Sequence, residues 1–411
     1  MSYFLRRLPL PRLLLLCATI VAVGAGATAL AVALGTGPVP PAKPLAEAVH
    51  DALSAPAVAG VSARIQFTDH LLEGSSLASQ TGSGGGGAAS SPLLTGATGR
   101  LWIAADGRVR LELQAEQGDT QILYDGHTVT LYDAASNSLY RYTPPQEAGA
   151  SSTAGSDQEV HKIPTVAEIQ EAIVHIMRHA NLSGATPTDV AGQAAYAVRI
   201  SPSHDGGLVG GAELAWDAVH GVPLRLAVYS TQNSSPVLEL TATEVSYEAV
   251  PSSVFAFTPP ADAKVTEIEP PRTHARARGG ASNQTVTHEQ GLAAVQAAVP
   301  FTLDAPATLA GMARSEVRGA QVNGHAAALI TYGEGLGGIA VLESAAKAGG
   351  EPEEEAGGFL GELPKVALPG ASASELPTPL GTLLSFQRAG VAYVLAGSVT
   401  PSALQDAAKG L

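Results

Sequence analysis

Residues 99–142 read GRLWIAADGRVRLELQAEQGDTQILYDGHTVTLYDAASNSLYRY, and this stretch constrains the chain more than any other. Val109, Leu111 and Leu113 alternate with Arg108, Arg110, Glu112 and Gln114, and Val129 and Leu131 alternate with Thr128, Thr130 and Tyr132. Turn pairs separate the runs, at Asp106-Gly107, Gly118-Asp119, Asp125-Gly126 and Ser136-Asn137. Apolar side chains at every second residue, punctuated by glycine turns, predict consecutive antiparallel hairpins with one dry face and one wet face. The stretch therefore reads as a five-stranded meander. Its apolar face has to be covered, by helices of the chain or by a ligand.

Length and charge narrow the classes. A chain of 411 residues has room for two or three domains. Hydrophobic residues make up 45% and aromatic residues only 5%, so the core is sizeable and mainly aliphatic. The formal charge of −14 argues against nucleic acid, whose phosphates demand a basic surface, and against charge-driven attachment to an anionic membrane face. Cys17 is the single cysteine, which rules out an intrachain disulfide and a cysteine-built metal site.

At the start, Arg6, Arg7 and Arg12 precede an uncharged run over residues 13–34. A basic flank and an apolar run long enough to span a bilayer read as an export signal or a signal anchor. Ala29-Leu30-Ala31 and Ala31-Val32-Ala33 suit cleavage, so both fates of residues 1–36 stay open. In either case the rest of the chain is extracytoplasmic, because the positive flank stays inside. Cys17 is not a lipoprotein cysteine: Leu16 before it is bulky, and the apolar run ahead of it is too short.

Residues 37–43 form a Pro-rich spacer. A short helix follows over residues 44–55, with Leu45, Val49 and Leu53 as its apolar stripe, then a strand over residues 61–67. A Gly/Ser insertion occupies residues 74–92 and a polar loop residues 144–159. Thr165 and Glu168 form a capping box that opens a helix to about Ala180. Glu171, His175 and His179 lie at helical spacing on its polar side. A solvated face accounts for them, since nothing completes a tetrahedral set. Four more strand candidates run over residues 195–201, 212–216, 223–230 and 236–247.

In this order, several pieces are similar to one family: Gly99-Arg-Leu-Trp-Ile, Arg108-Val-Arg-Leu, Tyr124-Asp-Gly-His-Thr-Val-Thr-Leu-Tyr132-Asp, Leu139-Tyr-Arg-Tyr142, and the ending Val254-Phe-Ala-Phe-Thr-Pro-Pro. The stretch over residues 44–269 resembles the LolA/RseB-type lipoprotein carriers. The resemblance implies an α+β fold: a strongly curved, open antiparallel half-barrel whose mouth is covered by helices. It also implies a hollow that holds acyl chains or serves a regulatory partner. The Gly/Ser insertion departs from that pattern, as does an anchor, which a shuttling carrier would not keep.

Residues 270–286 are a Pro/Gly- and Arg-rich linker, carrying Arg272, His274, Arg276 and Arg278. A smaller α+β domain is expected over residues 287–411. It opens on a helix capped at Thr287 and closes on one with Thr400, Pro401 and Gly410 in the capping positions. Strand candidates there are residues 312–317, 326–332, 338–342, 383–388 and 391–397, with an acidic loop at residues 351–355.

Catalytic signatures are absent. Gly333-Glu-Gly335-Leu-Gly-Gly338 fits a dinucleotide fingerprint in spelling, but a strand-like Ile339-Ala-Val-Leu342 follows where a helix would have to bind pyrophosphate. His288-Glu289 lacks the second histidine of a zinc protease, and no serine-hydrolase elbow occurs. Asp125 with His127, His204 with Asp205, and Asp217 with His220 read as turn residues. The expectation is a non-enzymatic, membrane-anchored or secreted extracytoplasmic binder that needs no cofactor or metal. It would hold an apolar ligand, a lipid or a lipidated protein, against Trp102, Leu111, Leu113, Ile122, Val129, Leu131, Leu226, Val228, Leu238 and Leu240. The alternative is a regulatory sensor of the RseB kind that binds a membrane anti-sigma factor.

Overall fold

Pro44 ends the spacer and the chain enters helix α1 (Leu45–Ser54). The computed structural model describes residues 37–72, 92, 96–116, 118–144, 163–204, 206–268, 290–322, 325–346 and 363–411. The leader over residues 1–36, most of the Gly/Ser insertion and of the following polar loop, the linker, Thr287 to Glu289, and the acidic loop lie outside these residues. Strand β1 (Gly60–Asp69) follows, then β2 (Ala97–Ala104), β3 (Val109–Ala115), β4 (Gly118–Tyr124), β5 (Val129–Asp133) and β6 (Ser138–Tyr142). From β2 to β6 each strand pairs antiparallel with the next, which is the five-stranded meander. At Gly99 the backbones of β2 and β3 come so close that a β-carbon would run into the Glu112 carbonyl.

Helix α2 (Val166–Ile176) opens on the capping box: the Thr165 hydroxyl accepts from the Glu168 amide at 3.3 Å, and the Thr165 amide donates back to the Glu168 carboxylate at 2.7 Å. The helix stops a turn short of Ala180. That residue is buried and pairs with Pro202 in β7 (Ala180–Leu182), so sheet pairing overrides helical periodicity there. Next come β8 (Thr186–Val190), β9 (Gln193–Pro202), β10 (Val209–Asp217), β11 (Pro223–Ser230), β12 (Pro236–Ser246) and, after a single turn of 3-10 helix at Ser252–Phe255, β13 (Lys264–Ile268).

These strands make one 13-stranded sheet in the order β13-β6-β5-β4-β3-β2-β1-β12-β11-β10-β9-β7, with β8 also on β9. All pairs are antiparallel except β13 on β6. As the sequence resemblance implies, the fold of the chain is α+β and sheet-dominated, with an open, strongly curled antiparallel half-barrel, helices packed on the sheets, and a smaller C-terminal α+β part.

The second sheet takes β14 (Thr308–Leu309), β15 (Met312–Val322), β16 (His325–Tyr332), β17 (Ile339–Ala345), β18 (Lys365–Leu368), β19 (Ala371–Thr378), β20 (Gly381–Arg388) and β21 (Val391–Gly397), ordered β14-β15-β16-β17-β21-β20-β19-β18. Helices α3 (Leu292–Ala298) and α4 (Pro401–Lys409) pack on it, through Val295 and through Leu404, Ala407 and Ala408, against Leu384, Phe386 and Leu395. Thr400 caps α4 by accepting from the Ala403 amide. The glycines at residues 333–338 form the hairpin between β16 and β17. Strands β18 and β19 carry no clean apolar alternation. Ser374 and Glu375 are buried, and Glu375 is satisfied by the Gln405 side chain of α4 at 2.9 Å.

The two sheets are docked. Ser398, just past β21, takes the Leu208 amide on its carbonyl at 2.9 Å, and the Leu208 and Val209 amides on its hydroxyl oxygen at 2.9 and 3.1 Å. Its hydroxyl donates to the Leu380 carbonyl at 2.8 Å. Gly207 sits against the Ser398 carbonyl with φ +60, a site that only glycine fits without strain. Leu72 and Leu363 bury together beside Leu376 and Leu383 and close a second contact.

One buried charge stands out in the second sheet. Glu343 of β17 is 0% exposed and accepts one backbone bond, from the Asp304 amide at 3.1 Å. Burial pushes its carboxyl up to about 7, against the pull of that amide; the neighbouring Asp304 charge pushes the same way. A raised carboxyl carries no penalty while both folded and unfolded chains are protonated. The penalty grows as pH climbs from the ordinary glutamate range to about 7 and is constant above that. Glu343→Gln is therefore expected to stabilise the chain at pH 8 by up to about 3 kcal/mol and to give no gain near pH 4. Denaturant unfolding at the two pH values checks this; an equal effect at both would refute it.

Candidate ligand cavity

The register sorts the side chains of the large sheet into two faces. On one face Leu131, Ile122, Leu111 and Leu101 lie in a row across β5, β4, β3 and β2, continued by Ala63 of β1 and Val245 of β12. Leu240, Leu226, Leu214 and Val198 make a second row across β12 to β9. This is the inner face, where the helices pack. Ala48, Leu45, Val49 and Ala52 of α1 cover Tyr196, Val198, Leu214 and Trp216, and Ile176 of α2 covers Ala180, Ile200 and Ala212. Two alanines, Ala46 and Ala48, are the buried residues of α1, so the helix lies close on the aromatic pair. The opposite face carries charge: Arg225 is bound by Glu213 and Glu239, and Arg64 faces Glu244.

The helices cover only part of the inner face. Beside the end of α1 a cavity of about 530 Å³ remains, within the usual range for a small-molecule site. Its floor is β1, β2, β11 and β12, through residues such as Val61, Ile65, Leu101, Ile103 and Leu224. Its wall is Leu53 and the segment Ala55 to Val58, and the turns at Asp106-Gly107, Gly126 and His220-Gly221 ring the mouth. Small residues at the centre of the floor, Ala63 and Ala242, leave room where leucines stand around them. Among the described residues that border it, Asp106, Tyr124, His220 and Arg225 carry polar side-chain atoms, and none is Ser, Thr, Cys, Lys or Glu.

Of the ten residues expected to hold a ligand, Leu226 and Leu240 border this cavity. Leu111 and Leu113 belong to the adjoining packed cluster with Ile65 and Ala242, and Val228 packs against the Ile200 cluster. Ile122, Val129, Leu131 and Leu238 share the inner face by register, away from the cavity. Trp102 is on the other face. It pairs with Ser62 and Arg110 and borders a shallow depression with Arg64, Arg100 and Glu244. Parity on β2 gives the inner face to Leu101 and Ile103 instead. Nothing on the strands anticipated Leu53 and the segment Ala55 to Val58, whose apolar run after a helix is the signal that marks them.

At the mouth, Asp217 is buried and accepts four bonds: from the Val219 and His220 amides at 2.7 Å each, from His220 Nδ1 at 3.2 Å and from the Tyr247 hydroxyl at 2.7 Å. The His220 ring lies against Tyr247, with centroids 4.0 Å apart and the planes tilted by 35°. Burial alone would raise the Asp217 carboxyl, but the Tyr247 hydroxyl and the two amides hold it below the usual carboxylate range. Burial and the Asp217 bond push the Tyr247 hydroxyl far up. The turn reading of Asp217 and His220 was thus only half of their arrangement. Glu171, His175 and His179 are exposed; α2 ends at Ile176, so His179 is off the helix and its face. No cluster of three or more His, Cys, Asp or Glu able to hold a metal occurs among the described residues. No helix among them is long and apolar enough to cross a membrane.

No family model matches the sequence, and no curated protein does. Among solved structures, MucB in complex with MucA(peri) is 15% identical over 89% of this chain and 94% of that one, with a TM-score of 0.37. The Pseudomonas aeruginosa MucA/MucB complex is 16% identical over the same shares, also at 0.37. A putative outer membrane lipoprotein-sorting protein domain from Vibrio parahaemolyticus is 9% identical over 51% of this chain and 95% of that one, at 0.19. The functional reading rests on the cavity and not on these likenesses.

Asp217→Ala strips the acceptor from two amides and a half-buried hydroxyl at once. It is expected to cost about 3 kcal/mol of stability. Asp217→Asn keeps the shape and is expected to cost less. Chemical denaturation of the three proteins at pH 7 measures both, and an alanine variant as stable as wild type would show that the network holds nothing.

Proposed function

We propose that this chain is a non-enzymatic, extracytoplasmic binding protein that holds an apolar ligand, a lipid or the acyl chain of a lipoprotein, on the inner face of its half-barrel. One observation carries the reading: Leu226 is 38% exposed although it lies on the apolar face between Leu214 and Leu240. A leucine in the middle of such a face is ordinarily covered; here the chain's own helices stop short of it and a cavity opens. Each methylene withdrawn from water contributes ~0.8 kcal/mol, so a chain of about a dozen carbons gains on the order of 10 kcal/mol before the costs of ordering. The lack of a bordering Ser, Thr, Cys or Lys supports binding over catalysis. The basic flank and apolar run at residues 6–34 support export and a membrane tether.

The docked C-terminal domain supports a second reading, since a carrier needs no second sheet. In it the protein is a regulatory sensor, and the outer segment of a membrane anti-sigma factor is its partner.

Leu226→Glu places a carboxylate in the opening at a half-exposed position, where the fold tolerates it. Binding of a fluorescent acyl probe is expected to weaken at least about tenfold while the melting curve stays put. Mass spectrometry of lipid extracted from the purified protein is the direct test. Protein that comes out empty and takes up no labelled acyl chain would sink the proposal.

A further inference from the structure

Four residues that border the cavity have polar side-chain atoms; the Arg225 side chain lies on the outer face, and those of Asp106 and Tyr124 have partners within the chain. Asp106 holds the Arg108 guanidinium at 2.9 and 3.0 Å. The Tyr124 hydroxyl donates to the Gly126 carbonyl at 2.9 Å. Arg225 lies between Glu213 and Glu239 and donates to the Tyr229 hydroxyl at 3.0 Å. His220 is different. Its Nδ1 is 3.2 Å from Asp217 Oδ1, its ring lies on Tyr247, and its Nε2 has no partner among the described residues. Asp217 is a carboxylate with its pKa held low, so it can only accept, and the proton between the two residues sits on Nδ1.

We infer that His220 is the anchor for the polar end of the ligand, and that this end is a carboxylic acid at the head of an aliphatic chain. The inference rests on the reading of the cavity as an acyl site and names the head group that site selects. The chemistry follows from the fixed tautomer. With Nδ1–H committed to Asp217, a neutral ring offers Nε2 only as an acceptor, so it matches a head that brings its own proton. A carboxylic acid fits in two forms: as the acid, whose O–H donates to Nε2, or as the carboxylate together with one proton taken from solvent onto Nε2, whose N–H then donates to it. One proton is shared in either form, and Asp217 stands behind the ring as counter-charge. A carboxylic ester brings no proton and leaves Nε2, on a side chain 35% exposed, to water alone. Tyr247 and the two amides on Asp217 keep the ring from turning away, as a positioning set for the anchor.

The experiment compares dodecanoic acid, methyl dodecanoate and dodecane, each displacing a fluorescent apolar probe from the full-length protein near neutral pH. A charge-assisted hydrogen bond at a half-buried mouth predicts that the acid binds about tenfold tighter than the ester, with the ester close to the hydrocarbon. In His220→Phe, which keeps the ring on Tyr247 and removes both nitrogens, the acid-to-ester ratio is expected to fall toward one. Equal affinity of acid and ester for the wild-type protein would overturn the inference without needing any variant. So would a ratio that survives in His220→Phe. If ester and hydrocarbon displace the probe but the acid has no advantage, the cavity reading stands and the anchor falls. If none of the three enters, both fall together.

Discussion

Everything in the larger sheet depends on β1 having two partners. It pairs along its length with β2 on one side and β12 on the other, and so joins the early meander to the late run of long strands. Without that seam there would be two smaller sheets with exposed edges instead of one surface. Because side chains alternate along a strand, β1 also transmits parity. Ala63 faces the same way as Leu101 on one neighbour and Val245 on the other. A slip of one residue at β1 would turn one half of the apolar face outward. The irregularity between Arg64 and Ile65 absorbs one extra residue of β12 and lets Ile65 meet Ala242.

The cavity is a consequence of how that surface is shared between helices and strands. Helix α1 is rich in alanine, so it lies flat on Tyr196 and Trp216 and is too short to reach further. Past its end the floor thins to Ala63 and Ala242. Dispersion forces favour filling such a space, and an aliphatic guest supplies the missing contacts without asking anything of the protein's polar groups. The outer face is the complement. Its charges are matched in clusters around Arg225, which fixes which side is wet.

How much of this was legible in the sequence follows from the physics of each feature. Alternation is local, so β2 to β6 and the strong strands of the second half could be read directly. Capping chemistry is local too, and Thr165, Glu168 and Thr400 act as expected. Strands held by long-range partners were harder. Strand β19 buries Ser374 and Glu375, which look like surface residues until Gln405 arrives from the last helix. Period-two reading tells which residues share a face only if the phase is right. On β3 the inner face belongs to Leu111 and Leu113; on β2 it belongs to Leu101 and Ile103, and Trp102 lies on the other face. Above all, alternation looks the same over a filled core and a hollow. Only the reach of α1 decides between them, and that depends on how helix and sheet meet in space.

The mouth shows how a turn can acquire a second task. Asp217 accepts amides two and three residues on, which is ordinary turn-making and needs no further reason. That leaves the carboxylate with capacity to spare, and buried capacity must be used. Tyr247, at the far end of β12, supplies one donor, and His220 supplies the other with its ring pressed against the same tyrosine. The turn cannot be built without orienting an imidazole at the opening of an otherwise greasy space. Asp217 and Tyr247, from two segments, hold one ring, and its second nitrogen is left without a partner among the described residues. On the proposed reading a guest would meet it with a proton or leave it to water, and that difference would sort amphiphiles by their heads.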